Sequence, residues 1–222
     1  MKFLTLPLLL FLIIACDAIS DKESKVLVFS KTATFRHKSI SSGIQLFEKL
    51  AKENQFQMVR SEQATDFNDN YLKTFKAIVF LNTTGDVLNE AQQKAMKKYI
   101  NSGGGFLGIH SAADTEHDWP WYGQLVGAYF KDHPNDPNVR TAAIDCLNSN
   151  HQCCRHLPKR WQRTDEWYNY HSINPNVNVV LNLDESSYEG GTNGSEHPIA
   201  WYHAFDGGRA FYTGGGLSLI HI

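Results

Sequence analysis

The residues able to do chemistry gather in a few short stretches, and the densest is NSGGGFLGIHSAADT at residues 101–115. Three glycines lead into a short apolar run, and the polar cluster His110, Ser111 and Asp114 follows at once. Residues 106–109 read as a buried parallel strand and the small residues after them as a tight turn. On such a strand-to-turn elbow several α/β enzymes present a nucleophile. Here the exposed position of the elbow would hold His110. An imidazole there titrates near neutral pH, so it could serve as general acid or base, or bind a divalent metal.

Four other stretches offer matching groups. Arg36-His37 follows the first apolar run; the guanidinium could grip a substrate oxygen or carboxylate, and His37 is a second imidazole. TDEWYNY supplies the carboxylates of Asp165 and Glu166. Successive side chains of an extended segment point to opposite faces, so one of the two reaches a site. Glu166 is favoured, because its aromatic neighbours could desolvate it and raise its pKa. His197 precedes a proline and could aim inward from a loop. His203 shares a strand face with Trp201, with Tyr202 opposite. Trp167 and Trp201 offer indole faces for sugar C–H groups, whereas Trp119 and Trp121 read as core or loop anchors. His110, His37 and His197 are the candidate ligands of a divalent metal; no nucleotide cofactor is expected.

These groups need a frame, and apolar periodicity supplies one. Residues 25–30 (KVLVFS), 56–59 and 75–81 (FKAIVFL) read as strands. Between them Ile40, Ile44, Phe47 and Ala51 recur at helical spacing, with serines available as caps. Residues 89–101 read as a second helix, with Ala95, Met96 and Tyr99 inward and Gly103 as its stop. Alternating strands and helices predict a doubly wound, mostly parallel α/β sheet, flavodoxin-like, whose ligands bind at the carboxyl edge. Three polar loops would meet there: 34–37, 83–86 with Thr84, and 110–114. Residues 119–126 read as a short helix, and 139–146 and 178–183 as strands. IAWYHAF and RAFYTG read as a C-terminal β-hairpin turning around Asp206-Gly207-Gly208.

In this order, VLVFSKTATFRH, GGGFLGIHSAADTEHDWPWYGQLVGAYFKDHP, RTDEWYNY and HPIAWYHAFDGGRAFYTGGG resemble the ThuA-like (trehalose utilisation) family, itself similar in fold to class I glutamine amidotransferases. The resemblance covers residues 25–216 and implies work on glycosides or oxidised, 3-keto sugars. It also yields a negative conclusion. The amidotransferase elbow is Gly-x-Cys-x-Gly, whereas this chain reads Gly108-Ile109-His110-Ser111-Ala112. Without a thiol at the elbow, glutaminase or amidotransferase activity is excluded. Ser111 is a weak substitute nucleophile, because Gly-x-Ser-x-Gly is lacking.

The expected function is therefore a carbohydrate-active hydrolase or lyase. His110 would supply acid-base or metal chemistry and Glu166 or Asp165 a carboxylate. His37, Arg36, Thr84, Ser111, Asp114, Trp167, His197 and Trp201 would hold the substrate. The alternatives are a sugar-binding lipoprotein without catalysis and a fragment of a larger sugar-processing protein. A formal net charge of −2 with no basic stripe excludes nucleic acid as the expected partner. MKFLTLPLLLFLIIAC reads as a lipoprotein signal over residues 1–15, with Cys16 as the lipidated residue. A linker over 16–24 would tether the domain to a bacterial envelope. That leaves Cys146, Cys153 and Cys154, which an exported chain could pair in part. Residues 217–222, LSLIHI, form a tail that departs from the family pattern.

Overall fold

The computed structural model describes residues 24–217. The expected signal, Cys16, most of the linker and the tail beyond residue 217 lie outside the described residues.

The first half follows the predicted alternation. Strand β1 (Lys25–Phe29) leads to helix α1 (Ile40–Asn54), β2 (Gln57–Ser61), the single-turn α2 (Asp69–Leu72), β3 (Ala77–Leu81), α3 (Glu90–Asn101) and β4 (Gly105–Ile109). Leu27 and Phe29 with Ile78 and Phe80 join the core cluster that holds α3 residues Ala95, Met96, Tyr99 and Ile100. Val28, Val79 and Leu81 join the cluster that holds Phe47 of α1. The period of two along β1 and β3 thus feeds two apolar faces, each covered by a helix, which is the doubly wound arrangement. Helix α3 opens on a capping box between Asn89 and Gln92 and closes before Gly103, whose φ of 92° turns the chain. The serines before α1 do not cap it. The Ser39 side chain makes no cap bond and instead accepts from Asn82 Nδ2 at 2.7 Å, tying the helix start to the end of β3.

The second half runs through α4 (Pro120–Val126), β5 (Tyr129–Asp132), β6 (Val139–Cys146), β7 (Arg160–Glu166), β8 (Asn169–His171), β9 (Asn178–Asp184), β10 (Pro198–Phe205) and β11 (Gly208–Thr213). The main sheet has nine strands in the order β2-β1-β3-β4-β11-β10-β9-β6-β7, and β5 pairs with β8 in a separate ribbon. From β2 to β11 neighbours are parallel; from β11 to β7 they are antiparallel. The hairpin is therefore the middle of the sheet. Its strand β11 lies parallel to β4 while β10 starts the antiparallel half. Asp206 and Gly207, at φ 46° and 87°, make the turn that two-residue hairpins favour.

Candidate functional site

The three expected loops do converge at the carboxyl ends of β1, β3 and β4. Thr32 bridges Thr84 and Gly85 bridges Thr115. The Thr84 hydroxyl donates to the Phe35 carbonyl at 2.7 Å, so Thr84 holds the loop that carries His37. His110 opens a 3-10 turn, His110–Asp114, directly after β4, with a left-handed φ of 49° for a non-glycine residue. The elbow is thus real in its backbone, but its histidine is not exposed: His110 has 0 % of its surface accessible. The Tyr168 ring lies over it, centroid to centroid at 4.1 Å, and closes the position to solvent.

Three imidazoles surround one carboxylate. His110 Nε2 lies 3.1 Å from Glu166 Oε2, His37 Nε2 lies 4.0 Å from the same oxygen, and His133 Nε2 lies 3.8 Å from Oε1. Each ring is anchored by its other nitrogen. His110 Nδ1 donates to the Gly214 carbonyl at 2.9 Å and His133 Nδ1 to the Pro134 carbonyl at 2.8 Å, while His37 Nδ1 meets Ser111 Oγ at 3.3 Å. Asn138 Nδ2 donates to Glu166 Oε1 at 2.5 Å. His37, His110 and Glu166 are all buried, and their ligand-type atoms lie within 4.8 Å of one another, unlike any other His, Cys, Asp or Glu group among the described residues.

The electrostatics follow from this crowding. Burial, then the nearby His110, holds the His37 imidazole down at about 4, so its neutral form persists through the neutral range. For Glu166 the direction is opposite to the expected one. Burial does push its carboxyl upward, but the His110 hydrogen bond and charge, His133 and the Asn138 bond outweigh it, and the net shift is downward. Glu166 is consequently an anion. His110 Nδ1 already gives its hydrogen to a carbonyl, and its Nε2 faces Oε2 at 3.1 Å, an arrangement into which a cation would fit. Two imidazoles and a carboxylate, with the rings oriented by the Gly214 carbonyl and the Ser111 hydroxyl, form a donor set that fits a divalent transition metal.

The rim is polar and partly open. Asp114 accepts from His117 Nε2 at 2.8 Å, and this bond raises the His117 pKa. Phe35 is 67 % exposed beside the His37 ring. His133, Asn138, Tyr168 and His117 are not assigned a role by the sequence. His117 and His133 lie in the long family-like stretch that ends in FKDHP, Tyr168 lies in RTDEWYNY, and Asn138 lies outside them all.

Several other expected site residues lie elsewhere. Arg36 turns away and pairs with Glu62 at 2.6 Å on the surface. Asp165 is fully buried and serves as a clasp: it accepts from Arg163 Nε and from the backbone N–H groups of Glu166, Gly216 and Leu217. His197 has both ring nitrogens engaged within the fold, Nδ1 with Glu185 Oε1 at 2.7 Å and Nε2 with the Tyr168 carbonyl at 2.8 Å, and it stands apart from the His37–His110–Glu166 group. Trp167 and Trp201 are core residues rather than sugar platforms. Their indole N–H groups donate to the carbonyls of Arg140 and Val126 at 2.8 and 2.9 Å. Trp119 and Trp121 stack on each other, and Trp121 donates to Asp206 in the hairpin turn, as loop anchors would. Cys146, Cys153 and Cys154 are all free thiols, not a disulfide pair.

Comparison with known proteins supplies a family. The family model described as "ThuA: Trehalose utilisation" matches residues 25–218. Among solved structures, a ThuA-like protein from Bacteroides uniformis superposes with a TM-score of 0.73 at 23% identity, over 90% of this chain and 85% of its own. A ThuA-like protein from Parabacteroides merdae gives 0.69 at 17% identity, over 87% and 79%. At these identities the likeness speaks for the fold. Among curated proteins, none matches the chain.

Proposed function

From the premise that this chain belongs to the ThuA, trehalose utilisation, family, we propose that it is a metal-assisted enzyme acting on glycosides or keto-sugars. A role connected with carbohydrates follows from the family; the reaction is the proposal. The observation that carries it is the buried His37–His110–Glu166 group with a third imidazole, His133, facing the same carboxylate. A divalent cation held by these residues would polarise a sugar carbonyl or hydroxyl oxygen. The chain's own part is to keep His37 neutral by burial and to orient His110 through the Gly214 carbonyl. It also keeps Glu166 ionised with Asn138 bonded to one oxygen. Tyr168 covers His110 and excludes water, and the Asp114–His117 pair on the rim is placed to exchange protons with a substrate hydroxyl. Proton removal beside a keto group and cleavage of the glycosidic bond are the two reactions these parts support.

The test is to incubate the purified protein with 3-keto-trehalose and related keto-glycosides, before and after chelation. Turnover that disappears with chelator and returns with zinc, manganese or iron(II) supports the proposal. Unchanged sugars in every condition overturn it. Sugar binding that survives His110→Ala with no turnover would favour the non-catalytic binding protein instead. Export with a lipid on Cys16 belongs to the same proposal and rests on the sequence of residues 1–16. Radiolabelled palmitate incorporated by the whole chain and lost in Cys16→Ser would support it.

A further inference from the structure

The connection between β6 and β7 places a histidine and two adjacent thiols in one turn, far along β7 from Glu166. His151 Nδ1 lies 2.8 Å from Cys153 Sγ, and Cys153 Sγ lies 3.4 Å from Cys154 Sγ. The same Nδ1 accepts from the Cys153 backbone N–H at 3.4 Å, so it presents a lone pair and not a hydrogen to the thiol. The turn is held rigid around this contact. Asn148 Oδ1 and its carbonyl both accept from His151 N–H, and Cys154 and Arg155 donate back to the His151 carbonyl. The His151 ring stacks on Tyr202 at 4.5 Å. A base thus faces one sulfur, while a neighbouring thiol can donate to that same sulfur.

The three thiols are not equivalent. Cys154 is 1 % exposed and packs with Val180 and Ala200. Burial, then hydrogen bonds with Cys153 and Cys146, pushes its thiol up to about 12, which keeps it protonated and inert. Cys153 is half-buried and reachable, with exposed Arg155 and Lys159 close to it in the chain. None of these residues takes part in the site around Glu166.

We propose that Cys153, with His151 as its base, is a thiol-modification site that takes up a small anionic disulfide as a mixed disulfide. His151 takes the Cys153 proton, and the thiolate attacks one sulfur of the incoming disulfide. The old S–S bond breaks, and the departing thiolate recovers the proton from His151. One protein thiol and one disulfide become one mixed disulfide and one free thiol, with no further oxidant. Cys154 supports the reacting sulfur by hydrogen bonding, and Arg155 and Lys159 favour a negatively charged partner.

The experiment exposes the full chain to oxidised glutathione and, in parallel, to 5,5′-dithiobis(2-nitrobenzoate), with peptide mapping of every cysteine, Cys16 included. The expected first adduct among Cys146, Cys153 and Cys154 is on Cys153, and it is absent in Cys153→Ser. His151→Gln slows it by about tenfold, because a thiol without a base is only a few per cent thiolate at neutral pH. A first adduct on Cys146 or Cys154 overturns the proposal. So does an unchanged rate in His151→Gln.

Discussion

His110 and His197 pose the same problem in two halves of the sheet. Each imidazole is 0 % exposed, each faces a glutamate, and each has its second nitrogen on a backbone carbonyl. Around His197 the accounts close: Glu185 Oε1 accepts from His197 and from the Asn193 N–H, and no other imidazole among the described residues approaches it. Around His110 they do not close, since His37 and His133 direct their free nitrogens at the same Glu166 carboxylate. A buried histidine–carboxylate pair is therefore structural when donors and acceptors balance. It becomes a candidate for chemistry when several buried imidazoles crowd one carboxylate.

That contrast is broken most directly by one substitution in each pair. Glu166→Gln is expected to lower sugar turnover by about 1,000-fold, the scale of a lost catalytic proton or metal contact, while circular dichroism shows the fold intact. His197→Gln is expected to do the reverse. It leaves Glu185 short of a buried partner and costs about 3 kcal/mol in urea unfolding, with turnover per folded molecule unchanged. If His197→Gln abolished turnover at full stability, the division between the two pairs would be wrong. The intermediate case is Asn138, which donates to Glu166 Oε1 from outside the ligand group. Asn138→Ala should weaken zinc binding, followed by titration calorimetry, by about tenfold, the effect usual for an outer partner of a metal ligand. An unchanged affinity would separate Asn138 from the site.

How far the sequence could be read divides along the same line. Strands β1, β3 and β4 were legible because burial on two faces leaves continuous apolar runs, and α3 because Ala95, Met96 and Tyr99 keep helical spacing up to the stop at Gly103. The hairpin turn was legible from Asp206-Gly207, but its place in the middle of the sheet was not, since register with β4 is a long-range property. The ribbon strands β5 and β8, of four and three residues, are too short to show any period. They flank His133 and Tyr168, so those two site residues were hidden with them. His110, His37 and Glu166 could be picked by type and loop position. That Glu166 would be drawn down rather than up depended on imidazoles arriving from two separate segments, His110 and His133, with Asn138 beside them. The role of His197 hinged on Glu185, twelve residues earlier across an irregular loop, which no spacing rule anticipates. Arg36 looked available only because its partner, Glu62, lies on another strand's end.

His203 supplies the gentlest test, because it is a buried histidine on β10 with no carboxylate among its hydrogen-bond partners in the described residues. It is 3 % exposed, its Nε2 donates to the Gln124 carbonyl at 2.9 Å, and its Nδ1 has no hydrogen-bond partner among the described residues. Burial lowers its pKa below 6.5, and the carbonyl bond opposes this only in part. The sign follows from linkage. The folded state holds His203 neutral while the unfolded chain binds a proton more readily, so its contribution is complete above pH 6.5 and shrinks as the pH falls below that value. His203→Gln keeps an N–H for the Gln124 carbonyl and removes the titration. Its melting temperature should therefore fall less between pH 7 and pH 5 than that of the unmodified chain, measured in chelator so that the imidazoles around Glu166 contribute equally to both. Parallel falls would mean that water reaches Nδ1, and that the antiparallel half is less tightly closed than the His197–Glu185 pair implies.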